Sequence, residues 1–432
     1  MATCARLEVA AGLAVLLTSL TATLTAAPAV GTVEASDAAF PTRVADYSYL
    51  TGSVSAAPPG RAVAIFQHGF GVEFMDYPQA VLVGADGTTY RRVDLAERLG
   101  GPEGQGDPAP LTLSPDGLSV AVGDYAADAA DLAVLDVRTG DVERHAVGAA
   151  RGVIPRAWSP ERRQLAFVSG GEPYNPYQAL HASSLEGDLG LLDVDSGEVR
   201  MLPNAEGVGL VAYSPNGTRL AVERGRRIEI RTLDGAITRT LALPPQHHLA
   251  GPAAWSPDGA LLAVGNGHPR CQQSGPDFDE LAWDACLADT ESKTFLDATG
   301  GQGPVPDPLL AGSSGFGPVL GWSGPREVLV LDDVVPSDPS IRGTYWITAA
   351  PLDGSAPRQL STVPGTGNFG VGSFQLASGL VADLTFEEMG GRADRGPLPF
   401  YLAVALSLAL GVLTARLTRL ARSRRASRPA GR

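Results

Sequence analysis

The residues able to do chemistry in this chain are few and scattered. Its six histidines are His68, His145, His181, His247, His248 and His268. None stands at the His-x-x-x-His or carboxylate–histidine spacing that holds a zinc ion. The run QHGFG, residues 67–71, has the make-up of a loop whose amides stabilise an oxyanion. Its necessary partner, a Gly-x-Ser-x-Gly nucleophile elbow, is absent, and GSSGFG at 312–317 and GWSG at 321–324 have the wrong spacing. Cys271 and Cys286 share one long insertion. In an oxidising compartment two such cysteines pair as a disulfide. Metal binding is the alternative, with His268 as the nearby imidazole. The expectation is therefore no catalytic residue, no metal and no cofactor.

What positions these residues is a repeat. PLTLSPDGLSVAVGD begins at Pro110, PRAWSPERRQLAFVSG at Pro155, LVAYSPNGTRLAVERG at Leu210 and PAAWSPDGALLAVGNG at Pro252. A fainter copy, VLGWSGPREVLVLDD, begins at Val319. Pro presets φ at the second turn position and Gly accepts positive φ at the fourth, so each Ser-Pro-x-Gly joins two antiparallel strands. The triplets Val120-Ala121-Val122, Leu165-Ala166-Phe167, Leu220-Ala221-Val222 and Leu262-Ala263-Val264 read as strands buried on both faces. Trp158, Tyr213, Trp255 and Trp322 precede the turn, where a large ring fills the gap between sheets. A second turn recurs downstream, marked by Gly87, Gly140, Gly197, Gly235, Gly300 and Gly354. The unit is strand a, Ser-Pro turn, strand b, variable loop, strand c, Gly turn, strand d. Four antiparallel strands repeated radially make a β-propeller blade.

These motifs, WSPDG, LAF and LDxxTG, resemble the TolB-like β-propeller repeat over roughly residues 47–386. The resemblance implies the fold and leaves function open, because propellers host many activities. Counting gives six complete blades and a final a–b hairpin, FGVGSFQLASGLVADLTF. The expected fold is all-β, a seven-bladed ring closed by residues 33–46 as an outer strand. Six blades, the number the TolB family implies, is the alternative.

Flanking segments suggest a location. Residues 9–27 are apolar after a lone Arg6, and small residues follow. Residues 1–29 therefore read as a signal peptide, or as an uncleaved N-terminal anchor. Residues 30–390 are the expected extracytoplasmic propeller. Residues 397–415 contain the uncharged run Leu398 to Thr414, read as one transmembrane helix. Residues 416–432 form a basic tail carrying Arg416, Arg419, Arg422, Arg424, Arg425, Arg428 and Arg432 with no acid, which the positive-inside rule makes cytoplasmic. The whole chain carries −14, so the part before this tail is more acidic still. That argues against nucleic acid or anionic lipid as the ligand of this part.

The b–c loops vary most and carry aromatics among acids. Phe70, Phe74 and Tyr77 lie in the first, Tyr174 and Tyr177 in the third, and Phe278 in the cysteine insertion. Long loops on a rigid scaffold are where binding concentrates, and aromatics in polar surroundings serve as interface anchors. Packing on their own blade is the competing reading. The expected function is a membrane-anchored propeller that holds an envelope protein or a peptidoglycan-associated partner. A hydrolase or lactonase with an axial site on the b–c face is the alternative, and a spacer without ligand a third.

Overall fold

Each Ser-Pro turn folds as a hairpin for a reason visible in its hydrogen bonds. The amides of Gly117, Gly217 and Gly259 donate to the carbonyls of Ser114, Ser214 and Ser256 at 2.8–2.9 Å. The serine hydroxyl then accepts the amide five residues on: Ser119 N, Gln164 N, Arg219 N and Leu261 N, at 2.8–3.0 Å. A buried serine thus holds the corner, and the residue at the fourth position must take positive φ. Gly117, Gly217 and Gly259 do so at 68–70°, and in the third blade Arg162 adopts 56° instead.

The protein is described here from a computed structural model covering residues 38–68, 79–101, 106–126, 131–148, 152–171, 174, 185–266, 291–301, 304–310, 318–333, 344–364, 371–398 and 400–426. Among these residues the strands form six four-stranded antiparallel sheets and one two-stranded ribbon. Blade 2 comprises Leu111–Leu113, Ser119–Val122, Asp131–Asp136 and Val142–Ala146. Blade 3 comprises Gly152–Trp158, Gln164–Gly170, Asp188–Asp193 and Val199–Met201. Blade 4 runs Val208–Tyr213, Arg219–Arg224, Arg227–Thr232 and Ile237–Ala242. Blade 5 runs His247–Leu249, Leu261–Asn266, Glu291–Asp297 and Leu309–Leu310. Blade 6 runs Val319–Gly324, Glu327–Asp333, Tyr345–Pro351 and Arg358–Val363. All six expected c–d glycines, from Gly87 to Gly354, have φ between 68° and 97°.

Blade 1 corrects the count of seven to six. Its inner strand is Val371–Leu376, from the far end of the chain, paired antiparallel with Ala62–His68. Gln79–Gly84 and Tyr90–Arg92 complete it. The expected opening and closing hairpins are therefore one pair of strands shared between the ends. After Leu376 the chain turns into a short 3-10 helix, Val381–Asp383, and makes no further blade strand. Of the strap expected at residues 33–46, the described part, from Ala38 on, lies along the outer edge of the ring. Ala39–Pro41 pairs parallel with Thr385–Glu387. Val44 N donates to Thr362 O and Thr362 N to Thr42 O, both at 2.9 Å, extending the outer edge of blade 6. Asp394 N donates to Thr88 O and Tyr90 N to Asp394 O, covering the edge of blade 1 in the same way. Covered edges remove the templates on which strands of other chains would pair.

The core lies between blades. The Val-Ala-Val-type triplets are fully buried, with Ala121, Ala166, Ala221 and Ala263 inaccessible. Trp158, Tyr213, Trp255 and Trp322 are buried as expected. Each indole reaches back to the preceding blade: Trp158 Nε1 donates to Thr112 O at 3.2 Å, Trp255 to Ala212 O at 3.3 Å and Trp322 to Ala253 O at 2.9 Å. A ring that fills the gap and satisfies its one donor explains why Trp recurs there.

Residues Val33–Gly396 form one compact unit. The helix Phe400–Ala426 lies outside it and runs on past the expected span through Arg416 and Arg419. Among the described residues no helix is long and apolar enough to cross a membrane, so the transmembrane expectation gains no support here. The helix leaves Leu406, Leu408, Leu410 and Leu413 more than half exposed.

Candidate functional site

The ring has two axial ends. At the a–b end the second residues of four Ser-Pro turns, Pro115, Pro160, Pro215 and Pro257, line a cavity of about 220 Å³. Trp158, Tyr213, Trp255 and Trp322 form part of its wall, and Gly321, Ser378 and Gly379 close the circle. Every blade contributes, because every inner strand delivers its turn to the same end. A smaller void of about 40 Å³ adjoins it and is lined by Thr112, Gln375 and Phe374, among others. The mouth is apolar, yet its rim carries charge. Ser114 and Ser256 donate to Asp116 and Asp258 at 2.6 Å, and Arg162 pairs with Asp116 at 2.8 Å. The Asp258 carboxyl is held below its usual range, chiefly by the Ser256 hydroxyl and the Ala260 amide.

The three indoles of the wall are satisfied, but the Tyr213 hydroxyl is buried without a hydrogen-bond partner among the described residues. Burial pushes this phenol upward, against a small opposing effect of Arg200. The phenol in the indole's place makes no such bond among the described residues.

Among the described residues the b–c end carries polar side chains. Glu223, on the second strand of blade 4, accepts from Leu249 N and from His248 Nδ1, each at 2.6 Å. Its carboxylate is buried, while the His248 ring keeps 23% exposure. With Nδ1 tied to the carboxylate, Nε2 has no protein partner among the described residues. Arg156, at the bulge where Ala166 pairs with Ala157 and Phe167 with Pro155, lies within electrostatic reach of Glu223. Burial lowers its guanidinium to about 10, with Tyr174, Tyr125 and Glu223 opposing. Burial raises Tyr125 to about 12, and Asp107 adds to that. Gln67 Nε2 donates to Asp107 at 2.8 Å on the same end.

Of the aromatics expected on the binding face, Phe70, Phe74, Tyr77, Tyr177 and Phe278 lie outside the described residues, as do Cys271 and Cys286. Tyr174 is a correction. It is 8% exposed and belongs to the core of blade 3 with Ile154, Val168 and Leu189. A Cβ on Gly152, Gly170 or Gly187 would collide with its ring or hydroxyl, so three glycines make its bed. Its hydroxyl donates to Glu186 O at 3.0 Å. His68 is likewise buried, edge-on to Phe66 and Tyr47.

Two features escaped local sequence reading. Glu223 and His248 are 25 residues apart, so no spacing rule joins them. Aligning repeats does flag Glu223, which stands where other blades have Gly123, Val168 and Gly265. The axial mouth was hidden because its prolines read as turn residues only. Among the described residues no group of three or more His, Cys, Asp or Glu could hold a metal.

Six blades of four antiparallel strands define the fold as a β-propeller. Among solved structures the chain is similar to TolB from Acinetobacter baumannii, at 13% identity and a TM-score of 0.45, over 73% of this chain and 67% of that one. It is also similar to hydrazine synthase from Kuenenia stuttgartiensis, at 15% identity and a TM-score of 0.37, over 59% of this chain and 66% of that one. The β-propeller domain of Myceliophteria thermophila Cps50 (Swd1) gives 13% and 0.36, over 59% of this chain and 70% of that one. No family model and no curated protein matches the chain.

Proposed function

We propose that the chain is a protein-binding scaffold of the cell envelope, an extracytoplasmic propeller held at the membrane by residues 397–415, with the basic tail 416–432 on the cytoplasmic side. The observation that carries the binding role is the apolar mouth to which all six blades contribute. A cavity of about 220 Å³ suits one large apolar side chain of a partner, and the charged rim suits the polar surroundings of such an anchor. An envelope protein or a peptidoglycan-associated protein is the expected partner. The uncharged run Leu398 to Thr414 and the exposed leucines of the helix support the anchoring.

Ser378 is exposed at the mouth, so it accepts a probe without disturbing the core. A photoreactive residue there should give a discrete protein adduct in the native envelope, and the same probe at Ile237, on the outer strand of blade 4, should not. Ser378→Trp should abolish partner binding while melting as the parent does. Identical adducts from both positions, or none from either, refute binding at the mouth.

A second reading rests on the Glu223–His248 pair. A carboxylate that fixes Nδ1 leaves Nε2 able to accept a proton from water, which is the arrangement of a general base. Hydrolysis of a lactone or ester that disappears in His248→Gln would establish it. Turnover that survives the substitution would remove it.

A further inference from the structure

The chain leaves the propeller beside a small turn whose composition is unusual for so acidic a surface. Thr51 N and Thr51 Oγ1 both bond to Ser48 O, at 3.2 and 2.9 Å, and Leu50 N bonds to Ser48 Oγ at 3.2 Å. This closes a turn with Tyr49 and Leu50 at its two corners. They are 53% and 48% exposed, among the most exposed large apolar side chains of the propeller. Tyr47 packs edge-on against Tyr49, with ring centroids 4.8 Å apart, and sits 5.1 Å from His68 at the b–c end of blade 1. Arg395 clamps the exit to this turn: its carbonyl accepts Gly52 N at 2.6 Å, and its guanidinium donates to Asp46 O and Thr51 Oγ1 at 2.5 and 3.4 Å. From Gly396 to the first helical residue, Phe400, is four residue steps, at most about 14 Å of extended chain.

Resting on the anchoring reading above, we infer that the Tyr47–Leu50 turn is a lipid-contacting tip, seated in the headgroup region next to the point where the chain enters the membrane. Tyrosine, with an apolar body and a polar hydroxyl, is the side chain favoured at that depth, and leucine beside it adds apolar area. Two features select lipid as the occupant: the short tether to the anchor helix, and the pinning of the tip to the exit by Arg395.

The test uses the full chain with vesicles of phosphatidylethanolamine and phosphatidylglycerol whose acyl chains are brominated near the headgroup. Tyr49→Trp and, separately, Leu50→Trp add one fluorophore each at exposed positions that tolerate it. The emission added by either tryptophan should be lost in brominated vesicles and kept in unbrominated ones. The emission added by Ile237→Trp, on the outer strand of blade 4, should be unaffected. Flotation is read on the same samples. Chain that floats with the vesicles while both tip tryptophans stay bright overturns the tip and leaves the anchor standing. Chain that fails to float overturns both.

Discussion

Blades 3, 4 and 5 are each built from one continuous stretch of chain, whereas blade 1 pairs strands more than three hundred positions apart in the sequence. In the continuous blades the same serine hydroxyl caps each hairpin and an aromatic ring bridges to the neighbour. Blade 1 has no Ser-Pro hairpin of its own. Its inner strand is held by an aromatic cluster, with Phe374 stacked on Phe66 at 5.8 Å and edge-on to Phe40 at 6.3 Å. It is also held by Gln375, which reaches across to blade 2. Repeated blades rely on local bonds that the sequence spells out four times, and the seam relies on contacts made once. The seam also closes the largest loop, so it forms last if loop entropy governs the order.

The largest effects test whether seam and repeats are equally packed. Trp255→Ala and Phe374→Ala should each cost about 3–5 kcal/mol, because both rings are buried. Chemical denaturation measures both. A Phe374→Ala cost below about 1 kcal/mol would show a seam held by backbone pairing alone.

Acid should then separate the two regions. His68, on the seam, protonates at about 4 in place of 6.5, because burial disfavours the imidazolium, Arg395 adds to this and Asp46 opposes it. The unfolded chain takes up that proton near 6.5 and the folded chain does not until about 4. Stability should therefore fall as pH drops through that window and be unaffected by this group above it. The loss is on the order of 3 kcal/mol. His68→Leu should flatten that part of the profile of melting temperature against pH. An unchanged slope in the variant would assign the acid sensitivity elsewhere.

Gln375 is the next smaller test. Its Oε1 accepts Leu113 N at 2.9 Å and Thr112 Oγ1 at 3.2 Å, and its Nε2 donates to Leu111 O at 3.1 Å. Gln375→Ala leaves the Leu113 amide without this partner and should cost about 1–3 kcal/mol. Hydrogen exchange should rise first in blades 1 and 2. Loss of protection spread evenly over all six blades would mean the seam is not a separate weak point.

The same contrast explains what could be read from the sequence. The buried alanines, the bridging tryptophans and the positive-φ glycines were legible because each depends on residues within one repeat. The blade count was misjudged because the FQLASGL strand looks like the start of a hairpin. Its partner strand, AVAIFQH, lies at the other end of the chain, and nothing local marks the pairing. Tyr174 reads in sequence as a surface anchor because its loop is polar. Its true setting is made by Gly152, Gly170 and Gly187, glycines on three different strands or loops whose convergence only the fold reveals. The Glu223–His248 pair joins two blades and was invisible for the same reason.

The smallest effect sharpens the comparison within the repeats. Blade 3 has Arg162 where its neighbours have glycine, at φ 56°. A non-glycine residue there is strained, and Arg162→Gly should gain about 0.5–1 kcal/mol from the backbone alone. Against this, Arg162 hooks blade 3 onto blade 2. It pairs with Asp116 at 2.8 Å and donates to the buried Ser119 hydroxyl at 2.8 Å. A half-exposed pair is worth about 0–1 kcal/mol and a neutral acceptor about 1 kcal/mol. The hook therefore wins slightly, and Arg162→Gly should be neutral to about 1 kcal/mol destabilising in the parent. With Asp116→Ala and Ser119→Ala already present the hook is gone, and the same substitution should become stabilising by about 0.5–1 kcal/mol. Thermal or chemical unfolding of the four chains gives the cycle. Equal effects in both backgrounds would mean that the inter-blade hook contributes nothing, and that arginine is held at this φ by the turn alone.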